Sequence, residues 1–136
     1  MARVYVGMRW MWLPGLLALG ALGGCGSGVQ ECTAIGSPPG IGVSGPGASE
    51  MVLEWCRDGT CREHAVTRWS ADPQHGFADI PELPAEPVRV TLTADGQRLD
   101  PVTVVPEPTY PNGEDCPAGG PAASVTVDRH GNVRPG

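Results

Sequence analysis

Residues 88–105 read Val88-Arg-Val-Thr-Leu-Thr-Ala-Asp-Gly-Gln-Arg-Leu-Asp-Pro-Val-Thr-Val-Val105. Apolar and polar residues alternate over 88–93, which is the pattern of a strand with one buried face. The segment 94–97 contains Asp-Gly, a dipeptide typical of a tight hairpin turn, and the valine-rich run 99–105 follows it. We therefore predict a β-hairpin whose strands cover 88–93 and 99–105.

A second hairpin is predicted around a second Asp-Gly dipeptide. The runs Met51-Val-Leu-Glu-Trp-Cys56 and Cys61-Arg-Glu-His-Ala-Val-Thr-Arg68 flank the turn Arg57-Asp-Gly-Thr60. Alternating runs on both sides of such a turn are typical of two antiparallel strands. We expect these two runs to pair, with Cys56 facing Cys61 across the turn.

The cysteines after residue 30 predict two disulfides. They are four in number, which permits three connectivities: Cys32, Cys56, Cys61 and Cys116. Opposed residues of an antiparallel pair bring their Cβ atoms to about 4.5–5.5 Å, which favours Cys56–Cys61 and leaves Cys32–Cys116. A redox or metal pair is the alternative for Cys56 and Cys61. Their Cys-x4-Cys spacing differs from the Cys-x-x-Cys of thioredoxin-like sites, which favours a structural disulfide.

Further short strands are predicted before and after these hairpins. Gly40-Ile-Gly-Val-Ser44 alternates between two glycine- and proline-rich stretches, and Ser124-Val-Thr-Val-Asp128 alternates near the end of the chain. A short strand is expected around Phe77 and another from Val133. Turn residues separate all of these segments.

Proline and glycine set the fold class. The chain has 20 glycines and 15 prolines in 136 residues, which argues for short elements and many turns. Prolines in 80–87 predict an extended segment near a sheet edge, and those in 106–121 predict a loop. About six to eight short strands without helical periodicity predict an all-β fold, a small immunoglobulin-like or prealbumin-like β-sandwich over residues 32–136.

Residues 1–24 have the three parts of a secretory signal peptide. Arg3 and Arg9 make the start positive, residues 10–22 form an uncharged apolar run, and small residues follow. The apolar run is shorter than the roughly 20 residues that cross a bilayer, and it contains Pro14. A cleaved signal peptide is therefore favoured over a transmembrane span.

The junction Leu22-Gly-Gly-Cys25 resembles the lipobox of bacterial lipoproteins. The resemblance implies cleavage before Cys25, lipid on its sulfur, and residues 25–31 as a flexible tether. It also implies an extracytoplasmic protein anchored to the outer face of the cell membrane. The alternative, an unlipidated secretory protein, leaves a fifth, unpaired cysteine in an oxidising compartment.

Residues 76–92 are similar to part of the carboxypeptidase-regulatory and transthyretin-like domains. The likeness rests on the Gly-Phe pair at 76–77, the Leu-Pro pair at 83–84 and the Val-x-Val strand at 88–90. It departs from those families at the turn, which usually reads Pro-Pro-Gly. The resemblance implies a small sandwich of the kind used as an accessory or adhesive module, and it implies no particular activity.

The charge of the chain argues against a nucleic-acid partner. All nine basic residues are arginine, a bias typical of a very GC-rich bacterial genome. After loss of residues 1–24, seven arginines stand against fifteen acidic residues. Such a surface repels phosphates, and no cluster of basic residues occurs in it. We therefore expect no nucleic-acid partner.

The histidines are the candidate bases and nitrogen ligands: His64, His75 and His130. Glu63 and His64 should face opposite sides of a strand, and His130 fits a turn. A weak metal site of His75 with Asp72 and Asp79 is imaginable, although a solvated loop is favoured. Without a Gly-x-Ser-x-Gly elbow either, we predict no catalytic residue, no metal ligand and no cofactor.

Two tryptophans follow residue 30. Trp55 lies on a predicted strand and should pack in the core. Trp69 follows the second hairpin, and burial statistics favour core or rim packing over an exposed binding aromatic.

These observations predict a lipid-anchored, non-catalytic surface module whose partner is an envelope or extracellular molecule. One alternative is a small protease inhibitor that uses the loop 106–121, which Cys116 would brace. The other is an unrecognised enzyme or metal-binding protein that uses His75. Resistance to added proteases would test the inhibitor. Metal titration, with a His75→Ala variant as control, would test the metal-binding protein.

Overall fold

The computed structural model describes residues 31–136, which fold into two β-sheets packed face to face. These residues contain no helix. Their eleven strands are β1 (Gly40–Ser44), β2 (Met51–Arg57), β3 (Thr60–Ala65), β4 (Thr67–Arg68), β5 (His75–Asp79), β6 (Val88–Ala94), β7 (Gln97–Arg98), β8 (Val102–Val104), β9 (Glu107–Pro108), β10 (Pro121–Val127) and β11 (Val133–Pro135). The prediction of an all-β sandwich is confirmed. The predicted signal peptide and Cys25 lie outside the described residues.

Each sheet has a simple strand order. The first sheet runs β11-β10-β1-β5-β4, with β9 also paired to β10, and the second runs β3-β2-β6-β7, with β8 also paired to β6. Neighbours are antiparallel except β1 and β10, which are parallel from Gly40 beside Ala122 to Ser44 beside Thr126. The two parallel strands come from opposite ends of the described chain, so their pairing closes the domain.

The core lies between the inner faces of the two sheets. Leu53 of β2 lies beside Leu92 of β6, and Ile41 and Val43 project from β1 on the other side. The buried side chains follow the alternation of the strands: Ile41, Val43, Met51, Leu53, Trp55, Val88, Val90, Leu92, Val104, Val125 and Val127. Complete burial of one such side chain stabilises the fold by about 1.5–3 kcal/mol, so these residues hold the two sheets together.

Both Asp-Gly hairpin turns are confirmed. Asp58 and Gly59 have φ angles of 49° and 78°, and Asp95 and Gly96 have φ angles of 47° and 81°. Two successive positive φ angles define the type I′ turn, whose twist matches that of the flanking strands. Aspartate tolerates this conformation and glycine adopts it without steric cost, which explains the dipeptide.

The single strand predicted over 61–68 is wrong. β3 ends at Ala65, and β4 pairs with β5 in the other sheet. Between them Val66 is buried, and its N–H donates to the Met51 carbonyl at 2.9 Å. The crossing packs Val66 on Gly76, where a Cβ atom would lie 2.8 Å from the valine Cγ1.

Proline alters two other predicted segments. The run 99–105 is interrupted at Pro101, which has no N–H for the ladder, so it supplies only the short β8. Residues 80–87 were expected to be extended, but the Leu83 N–H donates to the Ile80 carbonyl at 3.0 Å and both side chains are buried in the core. Such short pieces raise the strand number above the predicted six to eight.

The strand directions define two ends of the sandwich. We call one end the clasp pole, because β1 and β10 both start there, next to the disulfide between Cys32 and Cys116. The segment 80–87 follows β5 at this end and reaches the 57–60 turn through ion pairs from Arg57 and Arg62. The opposite end is the loop pole, formed by four connections: 45–50, 69–74, 95–96 and 128–132.

Candidate functional site

The loop pole presents one large aromatic side chain to solvent. Trp69 directly follows β4 and is 54% exposed. The other exposed large apolar residues of the described chain are Ile35, Val105 and Tyr110. Ile35 and Tyr110 belong to the segments next to the Cys32–Cys116 disulfide, and Val105 follows the clasp end of β8. Trp69 is therefore isolated from them.

A neighbouring histidine holds the Trp69 ring in place. The imidazole of His75 stacks on the indole, with ring centroids 5.8 Å apart and planes 21° apart. The Nδ1 atom of His75 lies 2.7 Å from Oδ2 of Asp72. His75 is also the first residue of β5, where it pairs with Ser44, so the sheet fixes its backbone.

Backbone hydrogen bonds fold the loop between Trp69 and His75 into a compact unit. The Trp69 N–H donates to the His75 carbonyl at 3.0 Å, and the Asp72 N–H donates to the Trp69 carbonyl at 3.2 Å. The His75 N–H donates to the Asp72 carbonyl at 3.0 Å. Asp72 also accepts the Gln74 N–H at 3.3 Å. The exposed indole is thus carried by a loop that four hydrogen bonds hold together.

Two more aspartates brace the remaining loops of this pole. Asp95 accepts the Ser49 N–H at 3.2 Å and the Glu50 N–H at 2.9 Å, which joins two connections. Asp128 accepts the side-chain amide of Asn132 at 2.8 Å, and the backbone N–H groups of His130 and Asn132 at 2.8 and 3.0 Å.

These bonds to Asp128, first the one from the Asn132 side chain, lower the pKa of its carboxyl from 3.8 to about 2. Hydrogen bonds to a carboxylate favour its charged form, because they are lost or weakened on protonation. The 128–132 connection is therefore best ordered when Asp128 is ionised.

The structure corrects the expectation for Trp69 and confirms that for Trp55. Trp55 is 7% exposed and packs in the core, as predicted. Trp69 was expected to pack in the core or at its rim, but the chain crosses to the other sheet at Val66 and turns back at residue 75. The indole therefore projects from the loop between β4 and β5 and not from a strand face that packs on the core.

The alternative metal site of His75 with Asp72 and Asp79 is assembled only in part. Asp72 contacts His75, but Asp79 lies at the other end of β5, beside Gly40. Among residues 31–136, the group of three potential ligands within 4.8 Å of one another is Glu54, Cys56 and Cys61. Both of those sulfurs are joined in a disulfide, which takes them out of metal binding.

His64 lies in a small polar cluster at the clasp pole. Glu63 and His64 do face opposite sides of β3, because Glu63 pairs with Glu54 and His64 with the core residue Leu53. The His64 Nε2 atom is 3.5 Å from Oε1 of Glu82, which also binds Arg62 at 3.1 Å. A bond from its own backbone N–H is the main cause that lowers the pKa of Glu82. The sequence offered no sign of this contact, since Glu82 lies in the proline-rich segment.

Both predicted disulfides are confirmed. Cys32–Cys116 joins residues 84 positions apart, and Cys116 is 5% exposed. Cys56–Cys61 joins directly opposed residues of β2 and β3. Both lie at the clasp pole, so the covalent cross-links and the braced loops occupy opposite ends of the sandwich.

The proline-rich segment 106–121 is folded back on the sandwich. Its residues Glu107 and Pro108 form β9 on the edge of β10. The Gly119 N–H donates to the Thr109 carbonyl at 2.7 Å, and the Thr109 hydroxyl donates to the Gly120 carbonyl at 3.0 Å. The two ends of the segment are thus tied together beside the clasp.

Comparison with known proteins adds no assignment. Within residues 31–136 there is no helix of the length and apolarity needed to cross a bilayer. No protein-family model, curated protein sequence or solved structure matches the chain.

Proposed function

We propose that this protein is a lipid-anchored, extracytoplasmic binding module without catalytic activity, whose loop pole carries the binding surface. One observation carries the proposal: the exposed, braced Trp69 and the Cys32–Cys116 disulfide lie at opposite ends of the sandwich. A module of this kind needs one end for attachment and another for recognition.

The attachment is supported by the position of Cys32. It lies seven residues after Cys25, and its disulfide fastens that part of the chain to the clasp pole. Disulfides are typical of oxidising compartments outside the cytoplasm. A lipid on Cys25 would hold the clasp pole toward the membrane and leave the loop pole facing outward.

The recognition surface is supported by the isolation of Trp69. Tryptophan is the residue most enriched among those that dominate binding energies. A ring held by His75 and by backbone bonds loses little conformational freedom when a partner binds, so more of the interaction energy contributes to affinity.

The anchor is tested by the intact mass of the protein extracted from membranes. We expect a chain that starts at Cys25 and carries added lipid mass, and we expect a Cys25→Ser variant to leave the membrane fraction. A wild-type protein of unlipidated mass would contradict the anchor.

The binding surface is tested by cosedimentation with isolated cell envelopes. The full-length gene product, as the cell processes it, is purified in detergent for this assay. We expect it to sediment with the envelopes and Trp69→Ala to lose at least three quarters of that binding. Tyr110→Ala removes an exposed aromatic from the clasp pole and should bind as wild type does. Equal sedimentation of wild type and Trp69→Ala would contradict the proposal.

A further inference from the structure

We propose that the loop pole binds a neutral polysaccharide, with the face of one pyranose ring stacked on the free face of Trp69. This proposal rests on the proposed function and names the chemical class of its ligand. It follows from the exposure of the indole, the balance of charged residues beside it and the polar residues of its loop.

The indole of Trp69 is covered by His75 on one side and is otherwise accessible to a ligand. His75 stacks against one side, while 54% of the residue remains exposed. The face of an aromatic ring carries partial negative charge. The C–H bonds on one face of a pyranose ring are weakly positive and lie in a plane, so the two surfaces are complementary in shape and charge.

One basic and one acidic side chain flank Trp69 along the chain, Arg68 and Asp72, so neither sign of charge predominates, which favours a neutral ligand. Asp72 contacts His75 at 2.7 Å, and no other charged residue lies between positions 69 and 75. The Arg68 guanidinium just before the loop bonds to the Pro46 carbonyl at 3.4 Å. Because the cationic Arg68 directly precedes Trp69 in the chain, cation recognition is the weaker alternative.

The residues beside Trp69 suit hydroxyl groups better than an apolar partner. Ser70 and Gln74 are exposed and supply both hydrogen-bond donors and acceptors. A stable protein interface needs about 800 Å² on each partner with a largely apolar centre. The other exposed large apolar residues lie at the clasp pole, so Trp69 has no apolar surroundings from which to build such a centre.

The proposal explains why one aromatic ring is enough. A single stacked ring with a few hydrogen bonds gives weak binding, but many anchored copies on one membrane can engage a polymer at once. Linked binding events of this kind raise the overall affinity by about 10²–10⁴ without new contacts.

The experiment uses affinity electrophoresis and tryptophan fluorescence on the processed full-length protein in detergent. The probes are a soluble β-1,4-glucan and tetramers of β-1,4-linked glucose and of β-1,4-linked N-acetylglucosamine. We expect at least one of them to bind and to shift Trp69 emission to shorter wavelength. Trp69→Ala should weaken binding at least tenfold and Trp69→Tyr less than that, while Tyr110→Ala should leave it unchanged. His75→Ala should weaken it about threefold, because the indole loses its support.

Each alternative result is decisive. Failure of all three neutral probes at millimolar concentration, or equal binding by Trp69→Ala, would overturn the carbohydrate proposal. Binding of an oligo-arginine peptide in place of the sugars would assign the indole to cations. If the sugars fail while envelope binding still depends on Trp69, the binding module stands and only its ligand class is wrong.

Discussion

The two poles of the sandwich are held in order by different chemistry. At the clasp pole, two disulfides fix the beginning of the domain and the hairpin of β2 and β3. At the loop pole, aspartates do the corresponding work: Asp72, Asp95 and Asp128 each accept bonds from the loops around them. A disulfide acts mainly by restricting the unfolded chain, whereas a hydrogen-bonded carboxylate acts in the folded state. The clasp pole should therefore dominate global stability, and the loop pole should respond to pH.

Removal of the terminal disulfide should have the largest effect. The double variant Cys32→Ser/Cys116→Ser frees a closed loop with a sequence separation of 84 residues, and on the chain-entropy model this costs about 4–5 kcal/mol. The measurement is the free energy of unfolding in urea. A loss of unfolding free energy smaller than that of the Cys56→Ser/Cys61→Ser variant would contradict the larger role of the terminal disulfide.

Removal of the hairpin disulfide should have a smaller effect. Cys56→Ser/Cys61→Ser opens a loop with a separation of only 5 residues, worth about 2 kcal/mol on the same model. The register of β2 and β3 should survive, because the type I′ turn and the six residue pairs between these two strands also define it. Amide hydrogen exchange of β3 tests this, and loss of protection there with β6 intact would show that the disulfide sets the register.

The smallest effect, and the one that changes with pH, should come from Asp128. Its folded-state pKa of about 2 lies below the ordinary 3.8, so the stability it contributes is present above about pH 4 and is lost as the pH falls toward 2. The difference in stability between wild type and Asp128→Ala should be constant from pH 7 to 5 and shrink below pH 4. Asp58→Ala, in the clasp-pole turn, is the matched control. A difference that does not change with pH would contradict the role of the ionised carboxylate.

The hairpins could be predicted because their signals are local. An Asp-Gly pair between alternating runs specifies the turn, the register and hence the facing of Cys56 and Cys61. With that pair assigned, Cys32–Cys116 followed by elimination. The core residues of β2 and β6 follow from the same alternation.

Long-range features left no comparable signal. No turn residue stands between Cys61 and Arg68, so nothing in this run marks the crossing between sheets. The parallel pairing of β1 with β10 joins segments about 80 residues apart, and each strand alone is compatible with many partners. The exposure of Trp69 depends on that crossing. A local sign did exist in the spacing of Asp72 and His75, three residues apart across a Pro-Gln turn.

The Cys32–Cys116 disulfide also decides how the domain carries mechanical load. A force applied to the chain before Cys32 is transmitted by two routes. One follows the backbone into β1, and the other passes through the disulfide to Cys116 and on to β10. Because these strands are parallel neighbours that start at the same pole, both are drawn in the same direction and are not sheared past each other. A domain tethered at this end in a flowing medium would resist extension as one body.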